Sequence, residues 1–223
     1  KKIAKKIKLN SNSFVVEAGS NDGTFLYEIN KFSNTKVLGI DPSKNMAKLA
    51  KQKGVRTIND FFDLKLTKNL KKKYPKIDFF YGANVFNHVD NPINFLKAIK
   101  NLIKPNGLII LEVPDLNSLI KKIGFDTIYH EHRNYFSEKS IYKIFRKEKI
   151  NIFKIEKIKY MAGSLRIFAN LKRSNIKPRF KNQINLSNIV KFEKNIKTVK
   201  ERIIEFISRM KIQKKDVAAV GAA

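Results

Sequence analysis

The stretch "FVVEAGSNDGTFLYEINKF", residues 14–32, decides the fold. It opens as a short apolar run closed by an acid and a glycine, which reads as a buried strand, "FVVEAG" (14–19). Phe25, Leu26, Ile29 and Phe32 then recur at helical spacing. Between strand and helix lies Gly19-x-x-x-Gly23, with Asn21 inside the turn. Glycines there let a ligand approach the backbone, and a helix N-terminus supplies unpaired N–H groups. A dinucleotide fold asks for a third glycine at this point to seat a pyrophosphate. This turn lacks it and ends its strand on Glu17, an acid better suited to a zwitterion bearing an ammonium and a sulfonium.

The pattern repeats outward. "KVLGID" (36–41) is a second strand ending on Asp41-Pro42, and Ser43 is placed to cap a helix that turns Met46, Leu49 and Ala50 inward. A carboxylate at Asp41 can accept hydrogen bonds from two ribose hydroxyls. A third strand around residues 55–58 precedes "NDFFD", which offers Asp60 to an adenine amino group and Phe61 or Phe62 as a flat apolar wall. "IDFFYGA" (77–83) is the fourth strand, followed by Asn84 and His88. Asn91-Pro92 opens a helix carrying Ile93, Leu96, Ile99 and Ile103, and "KPNG" closes it before the strand "LIILEVP". Such alternation predicts an α/β domain, a largely parallel sheet with helices on both faces. Singly, Asp41 reads as a helix cap and the phenylalanines as core. In order, at successive strand ends where open α/β sheets bind ligands, they favour a nucleoside site.

The expected division is a ligand-binding domain over 1–172 and a second region over 173–223. The latter begins with an irregular basic stretch, followed by Ile189, Phe192, Ile196, Val199, Ile203, Phe206 and Met210 at alternating spacings of three and four. That seam fits a long helix docked on a neighbour better than a coiled-coil dimer, so a monomer is expected. "DVAAVGAA" reads as the start of a second, truncated α/β unit.

A net charge of +28 invites a nucleic-acid reading. The lysines are dispersed along the chain, which fits solvated surface, and no nucleic-acid partner is expected. No apolar run approaches the ~20 residues needed to cross a bilayer, so no membrane association is expected. Absence of cysteine excludes thiolate metal sites and disulfides within these residues. The start "KKIAKKIKLN" has neither Met nor an apolar signal core, so the chain is expected to begin inside a longer, cytoplasmic protein.

"FDTIYHEHRNYFS" (125–137) holds two of the three histidines, His130 and His132, around Glu131 and after Tyr129. His-x-His can hold a metal, but no third ligand is apparent and none is expected. A neutral imidazole can instead remove the proton beside a ketone, a carboxylate can orient the ring, and a phenol can hydrogen-bond the resulting enolate. Spacing alone does not choose between His130 and His132.

Together "VVEAGSNDGTFL", "VLGIDPSKNMAKLA", "ANVFNHVDNPINFL", "EVPDLNSLI", the histidine box and "GSLRIF" resemble the S-adenosylmethionine-dependent C-methyltransferases acting on nucleotide-linked keto-sugars. The resemblance runs from about residue 14 to 170. It implies a class I methyltransferase domain with S-adenosylmethionine as cofactor and a nucleotide-linked deoxy keto-sugar as substrate. Zinc is implied only for a preceding domain that these residues lack. His132 is implied as the base, assisted by Tyr129 and Glu131, with Asn84, His88, Ser164 and Arg166 near the sugar. The chain reads Met161-Ala162-Gly163 where relatives carry His-Gly-Gly, so no histidine serves at that point. The alternatives are a methyltransferase acting on RNA or another polyanion, which the charge motivates, and a relative that binds a sugar nucleotide without catalysis.

Overall fold

The computed structural model describes residues 8–160, 162–172, 180 and 184–218. One seven-stranded sheet runs in the order β3-β2-β1-β4-β5-β7-β6. Its strands are β1 (Phe14–Ala18), β2 (Lys36–Ile40), β3 (Thr57–Ile58), β4 (Ile77–Ala83), β5 (Ile103–Pro114), β6 (Asn151–Ile158) and β7 (Ser164–Asn170). β1 to β5 pair in parallel, while β7 lies antiparallel between β5 and β6. The chain winds outward from β1 to β3, then crosses back to β4 on the other side of β1. The crevice above the carboxyl ends of β1 and β4 is therefore the switch point where such sheets take ligands.

The helices are α1 (Thr24–Ser33), α2 (Lys44–Gln52), α3 (Leu64–Lys73), α4 (Pro92–Leu102), α5 (Leu116–Lys122), α6 (Glu138–Lys147) and α7 (Leu186–Ile212). Strand residues alternate between two apolar layers, as the pleat requires. Val16, Phe80 and Leu111 meet Phe95, Leu96 and Ile99 of α4, whereas Val15, Phe79 and Ile110 meet Leu26, Ile29 and Ala50 of α1 and α2. Both faces are thus covered, as the alternation predicts.

Several local expectations are corrected. Phe32 and Leu49 are 38% and 41% exposed rather than inward. The aromatic that α1 lays on the sheet is Phe25, stacked on Tyr81 with centroids 4.2 Å apart. α2 packs through Ala50 close against the first turn: a Cβ on Gly23 would lie 2.9 Å from that of Ala50. Gly23 also has φ +74°, so glycine is required there twice over. Ile103 begins β5 instead of ending α4, and "KPNG" is an irregularity within that strand.

α7 runs for 27 residues without one buried side chain. It packs on α5, with Phe192, Ile196 and Val199 half-buried, while Ile203 and Phe206 remain about half exposed. Residues 215–218 carry no regular structure, and the expected turn at 219–223 lies outside the described residues, as does Met161. Among the described residues no helix is long and apolar enough to cross a membrane.

Candidate active site

The nucleoside half is built by the turns after β1, β2 and β3. Gly19 holds φ +66°, and a Cβ there would meet that of Val85 at 3.3 Å, so the turn sits tight against the end of β4. Asp41, buried to 8% exposure, accepts from the Asn21 amide at 2.8 Å and the Ser43 amide at 2.9 Å. It clamps the first two turns together while each oxygen keeps a further lone pair. Capping of α2 falls to Ser43, whose hydroxyl accepts from the Met46 amide. Asn59 donates to the Pro42 carbonyl at 2.7 Å and the Asp41 carbonyl at 3.1 Å, tying in the third turn. There Asp60 accepts from the Phe61 amide at 2.8 Å. Phe61 is 69% exposed and free to act as a wall. Phe62 is not: it is buried against Phe80 and Phe95, so that assignment is corrected to core.

Buried polar atoms are almost always paired. Six here have no partner among the described residues: Glu17 Oε2, Ser20 Oγ, Thr57 Oγ1, Asn84 Oδ1 and both amide atoms of Asn87. They belong to β1 and β3 or to the turns that follow β1 and β4. A Cβ on Gly39 would crowd Ser20 Oγ at 2.5 Å and Thr57 Oγ1 at 2.7 Å, so that glycine keeps room for them. Burial, then the charges of Asp41 and Asp22, push the Glu17 carboxyl up to about 9. An acid held this way favours a cation as its neighbour. These residues fit a ligand carrying an ammonium, hydroxyls and a flat base.

The other half is the loop over residues 125–137. Asn134 fixes it to the end of β4: its amide N–H donates to the Asn87 carbonyl at 3.0 Å and its side chain to the Val89 carbonyl at 2.6 Å. Phe136 bridges to Asp115 beyond β5. The loop thereby brings His132 to His88, ring centroids 4.8 Å apart, and Tyr129 to His132 at 4.3 Å. His132 Nδ1 lies 2.8 Å from the Thr127 carbonyl. A carbonyl only accepts, so this contact assigns the proton to Nδ1 and leaves Nε2 as the basic nitrogen. The Tyr129 hydroxyl faces that nitrogen at 3.3 Å. Burial, then His132, lower the His88 pKa, favouring neutrality beside its neighbour.

His130 is exposed and its ring approaches only Tyr129, at 5.9 Å among the ring contacts. The expected orienting carboxylate is also displaced: the ring of His132 is held by the Thr127 carbonyl, while Glu131 is exposed. A backbone carbonyl satisfies Nδ1–H as well as a carboxylate does, without a second desolvated charge. Ser164 is buried and donates to the Tyr160 carbonyl at 3.3 Å. Arg166 Nε donates to Glu112 at 2.7 Å, and its Nη1 lies 3.8 Å from Glu156. The Tyr81 hydroxyl donates to the same Glu112 carboxylate at 2.9 Å. Arg166 therefore belongs to a polar row across β4, β5, β7 and β6. Sequence reasoning missed Tyr81, Glu112, Asn87 and Thr127. The signals for the first two were polar groups inside apolar strand runs. Among the described residues no three His, Asp or Glu side chains converge as metal ligands do.

Residues 1–149 match the family model described as a methyltransferase domain. The chain is 33% identical over 164 residues to C-methyltransferase NovU of Streptomyces niveus, covering 74% of this chain and 39% of that relative. It is 27% identical over 135 residues to the uncharacterized protein MJ1123 of Methanocaldococcus jannaschii, covering 59% of this chain and 61% of the other. Less than two thirds of either relative's length is spanned. Among solved structures, an S-adenosylmethionine-dependent methyltransferase of Aquifex aeolicus superposes with TM-score 0.57 at 18% identity, over 77% of this chain and 88% of that one. Magnesium protoporphyrin IX methyltransferase of Synechocystis PCC 6803, solved with bound S-adenosylhomocysteine, gives TM-score 0.58 at 18% identity, over 76% and 78%. The fold is that of the class I methyltransferases.

Proposed function

The chain belongs to the methyltransferase-domain family, and on that premise we propose that it methylates a carbon. The donor is S-adenosylmethionine, and the acceptor is the carbon beside the ketone of a nucleotide-linked deoxy keto-sugar. The observation that carries this reading is His132: a histidine with Nδ1 committed to a backbone carbonyl and Nε2 left unprotonated, facing the Tyr129 hydroxyl, is a positioned base. Transfer to oxygen or nitrogen needs no proton taken from carbon, and the likeness to a C-methyltransferase points the same way.

When bound, the cofactor supplies an electrophilic methyl on sulfonium. Glu17 would lose its proton to solvent and meet the ammonium as a carboxylate, Gly19, Asn21 and Gly23 would admit the ligand close to the backbone, and Asp41 would accept from its ribose hydroxyls. Pro42, Asp60 and Phe61 would border the adenine, and Asn84 would serve the cofactor and the sugar. On the acceptor, His132 Nε2 takes the proton beside the ketone. The Tyr129 hydroxyl turns from Nε2 to donate to the enolate oxygen as charge develops there. Neutral His88 lets the imidazolium form at 4.8 Å without like-charge opposition.

The test separates proton removal from methyl transfer. In D₂O with S-adenosylhomocysteine bound, the protein exchanges the proton beside the sugar ketone, and His132→Asn slows that exchange by about 10²–10⁴. Exchange at the wild-type rate in the variant would remove His132 from the role.

A further inference from the structure

A cavity of about 710 Å³ opens between α5, β6 and the first turns of α7, and of the residues named in the site so far only Asp115, the anchor of the histidine loop, lines it. Four lysines converge on it from three elements: Lys121 and Lys122 of α5, Lys157 of β6 and Lys191 of α7. Lys121 and Lys122 close the last turn of α5, where cations complement the helix dipole. That accounts for two of the four. Of these four lysines, only Lys157 has a carboxylate partner among the described residues, Glu138 at 3.1 Å. The one acid in the lining is Asp115, already engaged by the Ser118 hydroxyl at 2.7 Å and the Asn117 amide at 3.2 Å. Gathering like charges around one cavity costs repulsion, which an anion would relieve. Ile120, Ile184 and Phe192 add an apolar side to the same space. The cavity lies within the size range of small-molecule sites.

Its position matters as much as its charge. Asp115 directly follows β5, at the carboxyl edge of the sheet, and bridges to Phe136 of the histidine loop. The Phe136 carbonyl also accepts from the Leu116 amide at 2.9 Å. Phe136 is four residues beyond His132, a span of at most about 14 Å. We infer that this cleft binds the diphosphate of a nucleoside-diphosphate-linked substrate, its lysines holding the phosphates and Phe192 with Ile120 and Ile184 taking the nucleoside. The inference rests on the nucleotide-linked acceptor proposed above, and places that acceptor's handle on the side of the histidine loop away from the cofactor turns.

Calorimetry on the 223-residue chain tests it without turnover, using uridine diphosphate, adenosine diphosphate and inorganic pyrophosphate at fixed ionic strength. One nucleoside diphosphate should bind per chain, more tightly than pyrophosphate. The Lys121→Gln/Lys191→Gln double variant should weaken it roughly tenfold or more, the worth of lost hydrogen bonds to a charged group. Phe192→Ala should erase the preference over pyrophosphate. Lys71→Gln/Lys72→Gln on α3 should change neither. Unchanged affinity for S-adenosylhomocysteine reports that each variant is folded. No saturable binding, or equal loss in both lysine pairs, would overturn the inference, the latter marking diffuse attraction of polyanions. Diphosphate binding that survives a failed exchange experiment would sink the reaction reading and leave the cleft standing.

Discussion

The two halves of the candidate site are held by different means. The turns around Glu17, Asp41 and Phe61 grow directly out of parallel strands, and the Asp41 carboxylate and Asn59 amide lock them to one another. The histidine half hangs on a loop that reaches the sheet through Asn134 and the bridge between Asp115 and Phe136. The first half is a consequence of the fold, so any chain that folds this way carries some version of it. The second is grafted onto the fold, and chemistry can change there while the sheet stays the same. Precision in the graft comes from local capture: Thr127 and His132 belong to the same short loop, so the contact that orients the ring spans only five residues.

The sharpest way to break this comparison is His132→Asn. It should remove about 10²–10⁴ of acceptor proton exchange while leaving S-adenosylhomocysteine affinity nearly unchanged by calorimetry. A parallel loss of affinity would mean the halves are one unit.

Glu17→Gln probes the fold-built half through pH. The folded carboxyl titrates near 9, above its ordinary 4.5, so the native state binds this proton more tightly than the unfolded chain. The resulting stability is fully present below the unfolded value and is lost as pH rises through the folded one. Glutamine has no such loss. The variant should gain on wild type by at most about 1.4 kcal/mol per pH unit across that window. Urea melts at pH 5, 7 and 8.5 measure it, and parallel curves would contradict a buried neutral acid.

Asp41→Ala should weaken S-adenosylhomocysteine by roughly 1.5–3 kcal/mol, with proton exchange by residual complex intact. Calorimetry showing no change would reject the ribose assignment. Asn134→Ala should cost about 1 kcal/mol of loop docking, seen as slower exchange with unaltered cofactor affinity. The smallest effect belongs to Glu131→Gln. Its carboxylate is exposed and the ring is oriented elsewhere, so exchange should fall by less than tenfold, within the ~1 kcal/mol scale of exposed charge interactions. A loss rivalling that of His132→Asn would restore the carboxylate as the ring's partner.

Legibility from sequence followed the same division. Strand ends are readable because apolar runs stop where the sheet stops, and Glu17, Asp41 and Asn84 all stand at or beside such stops. Choosing Phe61 over Phe62 was not possible, since adjacent residues in an extended segment face opposite ways and the phase is set by what packs behind. The partner of His132 was unreadable for a deeper reason. It is a main-chain carbonyl, identical at every position, so the nearby glutamate drew the assignment that Thr127 fills by geometry alone. Tyr81, Glu112 and Arg166 meet only because the one reversed strand lies beside β5, a pairing that periodicity does not encode.

The exposure of Phe61 carries a practical consequence. The chain contains no tryptophan, so no indole emission underlies its spectrum. Phe61→Trp would install a single indole on a solvent-facing wall, in a position where a larger ring meets no packed neighbour. Its emission would respond to a stacked purine and to little else. The nucleoside half would then have an optical reporter of its own, able to time ligand arrival in a stopped-flow mixer independently of any chemistry at the histidines.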